Sequence, residues 1–131
     1  MQNEVLVRLE LSGMPISVNS MYPGLKRRFK SKTTKVLNEA WMWEIKGQMM
    51  SIEMPEIKPS DYLALDIRVL ASKWKNKNGT IKKIDISNLI KFTEDVVAKS
   101  LRFDDCQFWT VTASKEMSVE EKTIVTISRI V

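Results

Sequence analysis

From Val5 the chain alternates, with Val5, Val7, Leu9 and Leu11 on one side and Leu6, Arg8 and Glu10 on the other. That period of two predicts a strand over 5–11. Residues 13–24 open with Gly13 and Pro15 and close with Pro23 and Gly24, which predicts a loop. Over 32–53 the apolar residues Val36, Leu37, Ala40, Trp41, Ile45, Met49 and Ile52 form a helical stripe, ended by Pro55 and Pro59. Residues 62–74 place Leu63, Leu65, Ile67 and Val69 on one face of a second strand, and Asn78-Gly79 marks a turn within 75–83. The helical period returns over 86–101. Two more strands are predicted at 109–112 and 123–131, around a turn at 118–121. The order β-α-β-α-β-β predicts an α/β (α+β) two-layer sandwich in one domain, 1–131, with two helices on one face of a mixed sheet. The other face of such a sheet needs cover, which suggests a homodimer.

Composition narrows the function. The 131 residues contain no histidine, which excludes histidine-based triads and histidine-ligated zinc. A single cysteine closes no intrachain disulfide and fits a reducing, cytoplasmic setting. There is no targeting signal at Met1-Gln2-Asn3-Glu4, and no apolar run is long enough to span a membrane.

The net charge of +5 is modest, but its distribution is not. Lys26, Arg27, Arg28, Lys30, Lys32 and Lys35 lie in one acid-free window; Arg68, Lys73, Lys75, Lys77, Lys82 and Lys83 lie in another. Outside these two windows, 9 basic residues face all 16 acidic ones, a net of −7. Two basic patches on an acidic body fit a polyanionic partner.

Residues 82–105 carry the candidate chemistry. On a helical wheel Asn88, Lys91 and Asp95 share one side, opposite Ile86, Leu89, Thr93, Val96, Val97 and Ser100. Ser87 and Glu94 lie at the edge of the polar side. Asp85 precedes the helix, and Asp104 and Asp105 follow it at a distance from which the chain folds back. Carboxylates converging in this way suit Mg²⁺, which takes hard oxygen ligands and completes its shell with water and phosphate. Lys91 beside them is placed to neutralise a phosphodiester under attack. The same residues also fit plainer roles: an N-cap at Asp85 or Ser87, an i,i+4 pair at Lys91 and Asp95, and a turn at Asp104-Asp105. Spacing alone does not choose between these.

Taken together, the spacing of Asp85, Asn88, Lys91 and Asp95, the block Asp104-Asp105-Cys106-Gln107, Lys115 ten residues after Asp105, and Pro15-Ile16-Ser17-Val18-Asn19 with Tyr22 resembles the RusA-type Holliday-junction resolvases. The resemblance runs from about Gly13 to Lys115. It implies a bacterial or phage-encoded homodimeric endonuclease that uses Mg²⁺, with Mn²⁺ able to replace it, to cut paired strands of a four-way DNA junction. It implies catalytic roles for Asp85, Lys91 and Asp105 with Asp95, and supporting roles for Asn88, Asn19 and Lys115. A family aspartate is expected at position 87, where this chain has Ser87. Glu94, Asp95 and Asp104 are the candidates to supply the missing charge, with Asp85, Asp105, Asp104 and Glu94 as the candidate metal ligands. The alternative is a weakened or inactive member of the fold that binds branched or duplex DNA without cutting it. In either case Lys26, Arg27, Arg28, Lys30, Lys32, Lys73, Lys75, Lys77, Lys82 and Lys83 are expected to hold DNA phosphates; Tyr22, Phe29 and Trp74, interleaved with them, fit either stacking on bases or anchoring of the core and loops.

Overall fold

Strand β2 (Leu63–Ala71) is the inner strand from which the sheet is built, because every second residue of it is apolar: Leu63, Leu65, Ile67, Val69 and Ala71 are all buried. The computed structural model describes residues 3–18 and 32–131. Around β2 lie β1 (Glu4–Ser12), α1 (Lys32–Met49), α2 (Ile90–Leu101), β3 (Phe108–Met117) and β4 (Lys122–Arg129), with 3₁₀ turns at Ile86–Leu89 and Asp105–Gln107. The strand order is β1-β4-β2-β3. β4 is antiparallel to β1 and to β2, whereas β3 runs parallel to β2. A parallel neighbour requires a crossover, and α2 supplies it. The element order and mixed sheet agree with those expected from the sequence.

The register sorts the two faces. Leu9, Val125, Ile67 and Ala113 lie across the sheet on one level, and Val7, Ile127, Leu65 and Val111 on the next. Both helices cover this face: Trp41 and Ile45 of α1 and Phe92, Val96 and Val97 of α2 join the same core. Trp41 meets Phe92 edge-on, with ring centroids 5.2 Å apart at 66°.

The far face corrects an expectation. It presents Arg8, Glu10, Asp66, Arg68, Thr112, Ser114, Glu116, Lys122 and Thr126, with Leu70 and Ile124 among them. Arg68 forks onto Glu116 at 2.5 and 2.8 Å, Thr112 donates to Asp66, and Lys122 pairs with Glu10 at 3.7 Å. A mostly polar, internally paired face tolerates water, so cover for this face is not a reason to expect a second subunit.

Edge strand β1 is closed by α1. Gln48 accepts from the Glu10 N–H at 2.9 Å and donates to its carbonyl at 2.7 Å. Glu44 accepts from the N–H and hydroxyl of Ser12, and the Trp41 indole donates to the Ser12 carbonyl at 2.8 Å. These side chains occupy groups that would otherwise template another strand.

Several boundaries differ from the sequence reading. α1 stops at Met49, short of 53, because Ser51 bonds back to the Gln48 carbonyl through its hydroxyl and its N–H. Val36 and Ala40 are exposed and do not belong to the core stripe. β2 begins one residue later than expected and ends at Ala71, and β4 ends at Arg129. β3 reaches Met117, five residues beyond the predicted end, because pairing with β2 continues through a polar stretch that has no alternation of its own.

Trp41 is fully buried and anchors both α1 and the β1 edge. Trp41→Ala should therefore cost about 3–5 kcal/mol in urea unfolding. A loss below about 1 kcal/mol would show that the indole does not tie the layers together.

Candidate active site

The site begins in a small hairpin between β2 and the first 3₁₀ turn. Lys75 bridges Ile81, the Lys82 N–H donates to the Trp74 carbonyl at 2.9 Å, and the Asn76 N–H donates to Thr80 at 2.8 Å. Gly79, at φ +87°, closes the turn, a conformation that suits glycine. Lys75, Lys77, Lys82 and Lys83 are exposed on this hairpin, while Lys73 is paired with Glu121 at 2.9 Å. Trp74 is not available to stack on bases: it is buried, and its indole donates to the Glu116 carbonyl at 2.9 Å. Lys115 lies over its ring at 5.3 Å, so this lysine sits at the root of the hairpin. Lys32 is exposed at the start of α1. Asn19, Tyr22, Lys26, Arg27, Arg28, Phe29 and Lys30 lie outside the described residues.

Two residues past Lys83 comes Asp85. Its backbone is extended (φ −79°, ψ 124°) and its carbonyl accepts from the Asn88 N–H at 3.0 Å. Its carboxylate is exposed and makes no capping hydrogen bond, so the capping role does not account for it. Ser87, also exposed, and the half-buried Asn88 lie in the 3₁₀ turn. There each residue advances by about 120° and 2.0 Å, so one α-helical wheel does not span 86–101. The rise from Ser87 to Glu94 becomes about 11.5 Å, farther than a continuous α-helix would give.

α2 buries Phe92, Thr93, Val96, Val97 and Ala98. That leaves Lys91, Asp95 and Lys99, four residues apart, along its outer side. Lys91 Nζ lies 3.0 Å from Asp95 and 3.4 Å from Asp105. The hydrogen bond to Asp95, aided by the charge of both carboxylates, raises the Lys91 pKa, which keeps the ammonium charged. Burial raises the pKa of Glu94, and the nearby Asp105 and Asp95 add to this while Lys91 opposes it.

The return of the chain to Lys91 is built from three local devices. Arg102 takes the left-handed conformation (φ 62°, ψ 50°) just past α2, and the Phe103 N–H reaches back to Ala98 at 3.0 Å. Asp104 accepts from the Cys106 N–H at 2.9 Å, and this bond lowers its pKa. Gln107, buried, donates to the carbonyls of Lys58 at 2.9 Å and Asp61 at 3.2 Å. Asp104 and Gln107 thus hold the 3₁₀ turn that presents Asp105. A hollow of about 340 Å³ beside it is lined by Asp95, Ala98, Lys99, Phe103, Asp104 and Asp105. Sequence reasoning does not single out Lys99 or Phe103; the Lys91, Asp95, Lys99 spacing is the available signal for Lys99.

The structure therefore brings Lys91, Asp95 and Asp105 together, with Glu94 within electrostatic reach. Among the described residues, no three carboxylate or thiol groups gather closely enough to hold a metal ion by themselves. The donor set still fits Mg²⁺, which is commonly held by one or two carboxylates and completed by water and substrate phosphate.

The family described as endodeoxyribonuclease RusA matches residues 16–128, which include every element of this site. The chain belongs to the RusA endodeoxyribonuclease family. No individual curated protein matches it. RusA membership makes the chain a member of a nuclease family that acts on Holliday junctions. The motif also gains a physical reading: Gln107 and Asp104 anchor the loop, and Lys91 and Asp105 meet at its tip. No helix among the described residues is long and apolar enough to cross a membrane.

Glu94 supplies a test at two pH values. Its folded pKa is raised, so its contribution favours the fold below the unfolded pKa and is lost as pH rises through the folded one. Glu94→Gln should therefore stabilise the protein at neutral pH and leave it little changed near pH 3, as followed by urea unfolding across pH. A variant destabilised at neutral pH would show that the Glu94 charge is not strained.

Proposed function

We propose that this chain is a Mg²⁺-dependent, structure-selective endonuclease that resolves four-way DNA junctions by paired phosphodiester hydrolysis. The observation that carries this reading is Lys91 held between Asp95 and Asp105 on the outer side of α2. A chain that needed only a surface ion pair has no use for a clamped loop delivering a second carboxylate to the same ammonium.

Asp85 and Asp105, with Glu94 or Asp104 as further donors, would hold the ion, and Mn²⁺ would replace it. When bound, a divalent ion supplies an activated water and charge stabilisation on the phosphodiester. Asp105 would present its carboxylate to the ion from the 3₁₀ turn that Asp104 caps. Lys91, paired with Asp95 and Asp105 on the exposed side of α2, would place its ammonium to neutralise a phosphate oxygen. Lys75, Lys77, Lys82 and Lys83, with the basic residues of 26–32, hold the duplex arms through phosphates, without sequence preference. Asn88, Asn19 and Lys115 support this arrangement. The setting is the cytoplasm of a bacterium or an infected cell, and two copies act on symmetric strands.

A second reading draws on Ser87. The serine is neutral and exposed, and the described carboxylates do not form a ready-made group of three. That favours a junction-binding protein with a weakened or lost centre. Ser87→Asp separates the two: new cleavage by an otherwise silent protein supports the second reading.

On a labelled synthetic four-way junction with Mg²⁺, wild-type protein should make paired nicks. Asp105→Asn should reduce the rate about 100-fold or more while junction binding persists. Replacing Lys75, Lys77, Lys82 and Lys83 with alanine should flatten the salt dependence of binding, by about 0.9 in log–log slope for each phosphate no longer neutralised. An Asp105→Asn protein that cuts at the wild-type rate would overturn the enzyme reading.

A further inference from the structure

Where the C-terminal ends of α1 and α2 come together, the surface opens into a groove of about 850 Å³, larger than the hollow of about 340 Å³ beside Asp105. Met42 and Met49 are half-buried in its lining and pack against the core, with Trp43 and Met50 exposed beside them at 67% and 85%. Methionine is flexible and polarisable, so such a lining accepts side chains of varied shape. An exposed apolar patch with a polar rim marks a place for a partner.

The rim narrows the choice of partner. Lys46, Lys99 and Arg102 stand exposed around the groove against one acid, Glu39. Each helix C-terminus is equivalent to roughly half a negative charge. The two termini and Glu39 together offset about two of the three cations, which leaves the groove about one charge positive. Among the described residues, no carboxylate lies within ion-pair distance of any of the three.

Arg102 is an independent sign. Among the described residues it is the one non-glycine residue with positive φ, at 62°. Glycine fits that position freely, whereas a side chain there costs roughly 1 kcal/mol. The turn makes its bonds through the backbone, so it gains nothing from a guanidinium. The groove gains a cation from it.

Phosphate alone has no use for the apolar lining, and an uncharged segment has no use for the rim. A segment that carries both carboxylates and bulky apolar side chains uses both. We propose that this groove docks an acidic, apolar segment of a partner protein, with its apolar side chains against Met42, Trp43 and Met49 and its carboxylates toward Lys46, Lys99 and Arg102. Lys99 borders both the groove and the hollow at Asp105, whereas Lys91 and Asp105 are not in the lining of the groove. A docked partner therefore holds the chain next to the candidate site without filling it. The proposal goes beyond the nuclease reading and does not depend on it.

The test is fluorescence anisotropy of a labelled peptide of alternating aspartate and phenylalanine, with the full chain and without DNA or metal, so that the nuclease reading stands or fails separately. The peptide should bind saturably. Versions with serine for every aspartate, or for every phenylalanine, should bind about 10-fold more weakly or worse. Trp43→Ala should weaken binding about 10-fold, and Lys46→Glu and Arg102→Gly about 5-fold each. Arg102→Gly should melt no lower than wild type, because glycine suits the turn, so its lost affinity reports the guanidinium and not the fold. Absence of saturable binding would overturn the proposal, as would binding indifferent to all three substitutions. Displacement of the peptide by duplex DNA, with weaker DNA binding by Trp43→Ala, would assign the groove to nucleic acid and overturn it equally. So would self-association of the chain that the peptide disrupts and Trp43→Ala abolishes, which would assign the groove to a second copy.

Discussion

Trp41 against Phe92 is the contact from which the arrangement follows. It joins α1 to α2 above the same sheet face and fixes the rotation of each helix. With Phe92, Val96 and Val97 turned inward, the helical period leaves Lys91, Asp95 and Lys99 outward, where the returning loop meets them. With Trp41 and Ile45 inward, Val36, Trp43 and Met50 have nowhere to go but solvent or another chain. The core therefore determines both the polar site and the apolar groove.

The site also shows how local chemistry sets distance. Lys91 and Asp105 are 14 residues apart, and no repeat or period links them. They meet because Arg102 turns the chain in the left-handed conformation, Asp104 caps the following turn, and Gln107 ties it to the carbonyls of Lys58 and Asp61. Three modest hydrogen-bonding devices thus place one carboxylate beside one ammonium. The arrangement is charged, partly exposed and clamped by backbone contacts, so its geometry does not rest on the ion pairs themselves, which are weak at a surface.

Much of this is legible in the sequence because it follows from periodicity. The alternation from Leu63 to Ala71 gives the inner strand, and the Asn88, Lys91, Asp95 spacing gives the polar side of α2. The length of β3 is not legible, since its outer half has no alternation and exists through pairing with β2. The 3₁₀ turn over Ile86–Leu89 is also hidden, because its composition suits either helix type. A single apolar stripe along α1 is too wide and takes Val36 and Ala40 into the core; the helix has two apolar strips, and hydrophobicity alone does not tell which one faces the sheet. Trp74, set among lysines, fits either base stacking or anchoring of the hairpin by sequence, and the bond of its indole to the Glu116 carbonyl decides for the anchor. Spacing finds the site residues themselves, but the roles of Asp104 and Gln107 as clamps emerge only from their hydrogen bonds.

The proposed nuclease activity requires Glu94 and Asp105, close to Lys91, to share one divalent ion with Asp85. Paramagnetic broadening of backbone amide signals by Mn²⁺, in the presence of a short uncleavable junction, tests this most directly. Signal loss should come earliest and be steepest at Asp85, Glu94 and Asp105. Broadening centred instead on another acidic cluster, such as Glu120 and Glu121, or spread evenly over the surface, would contradict it.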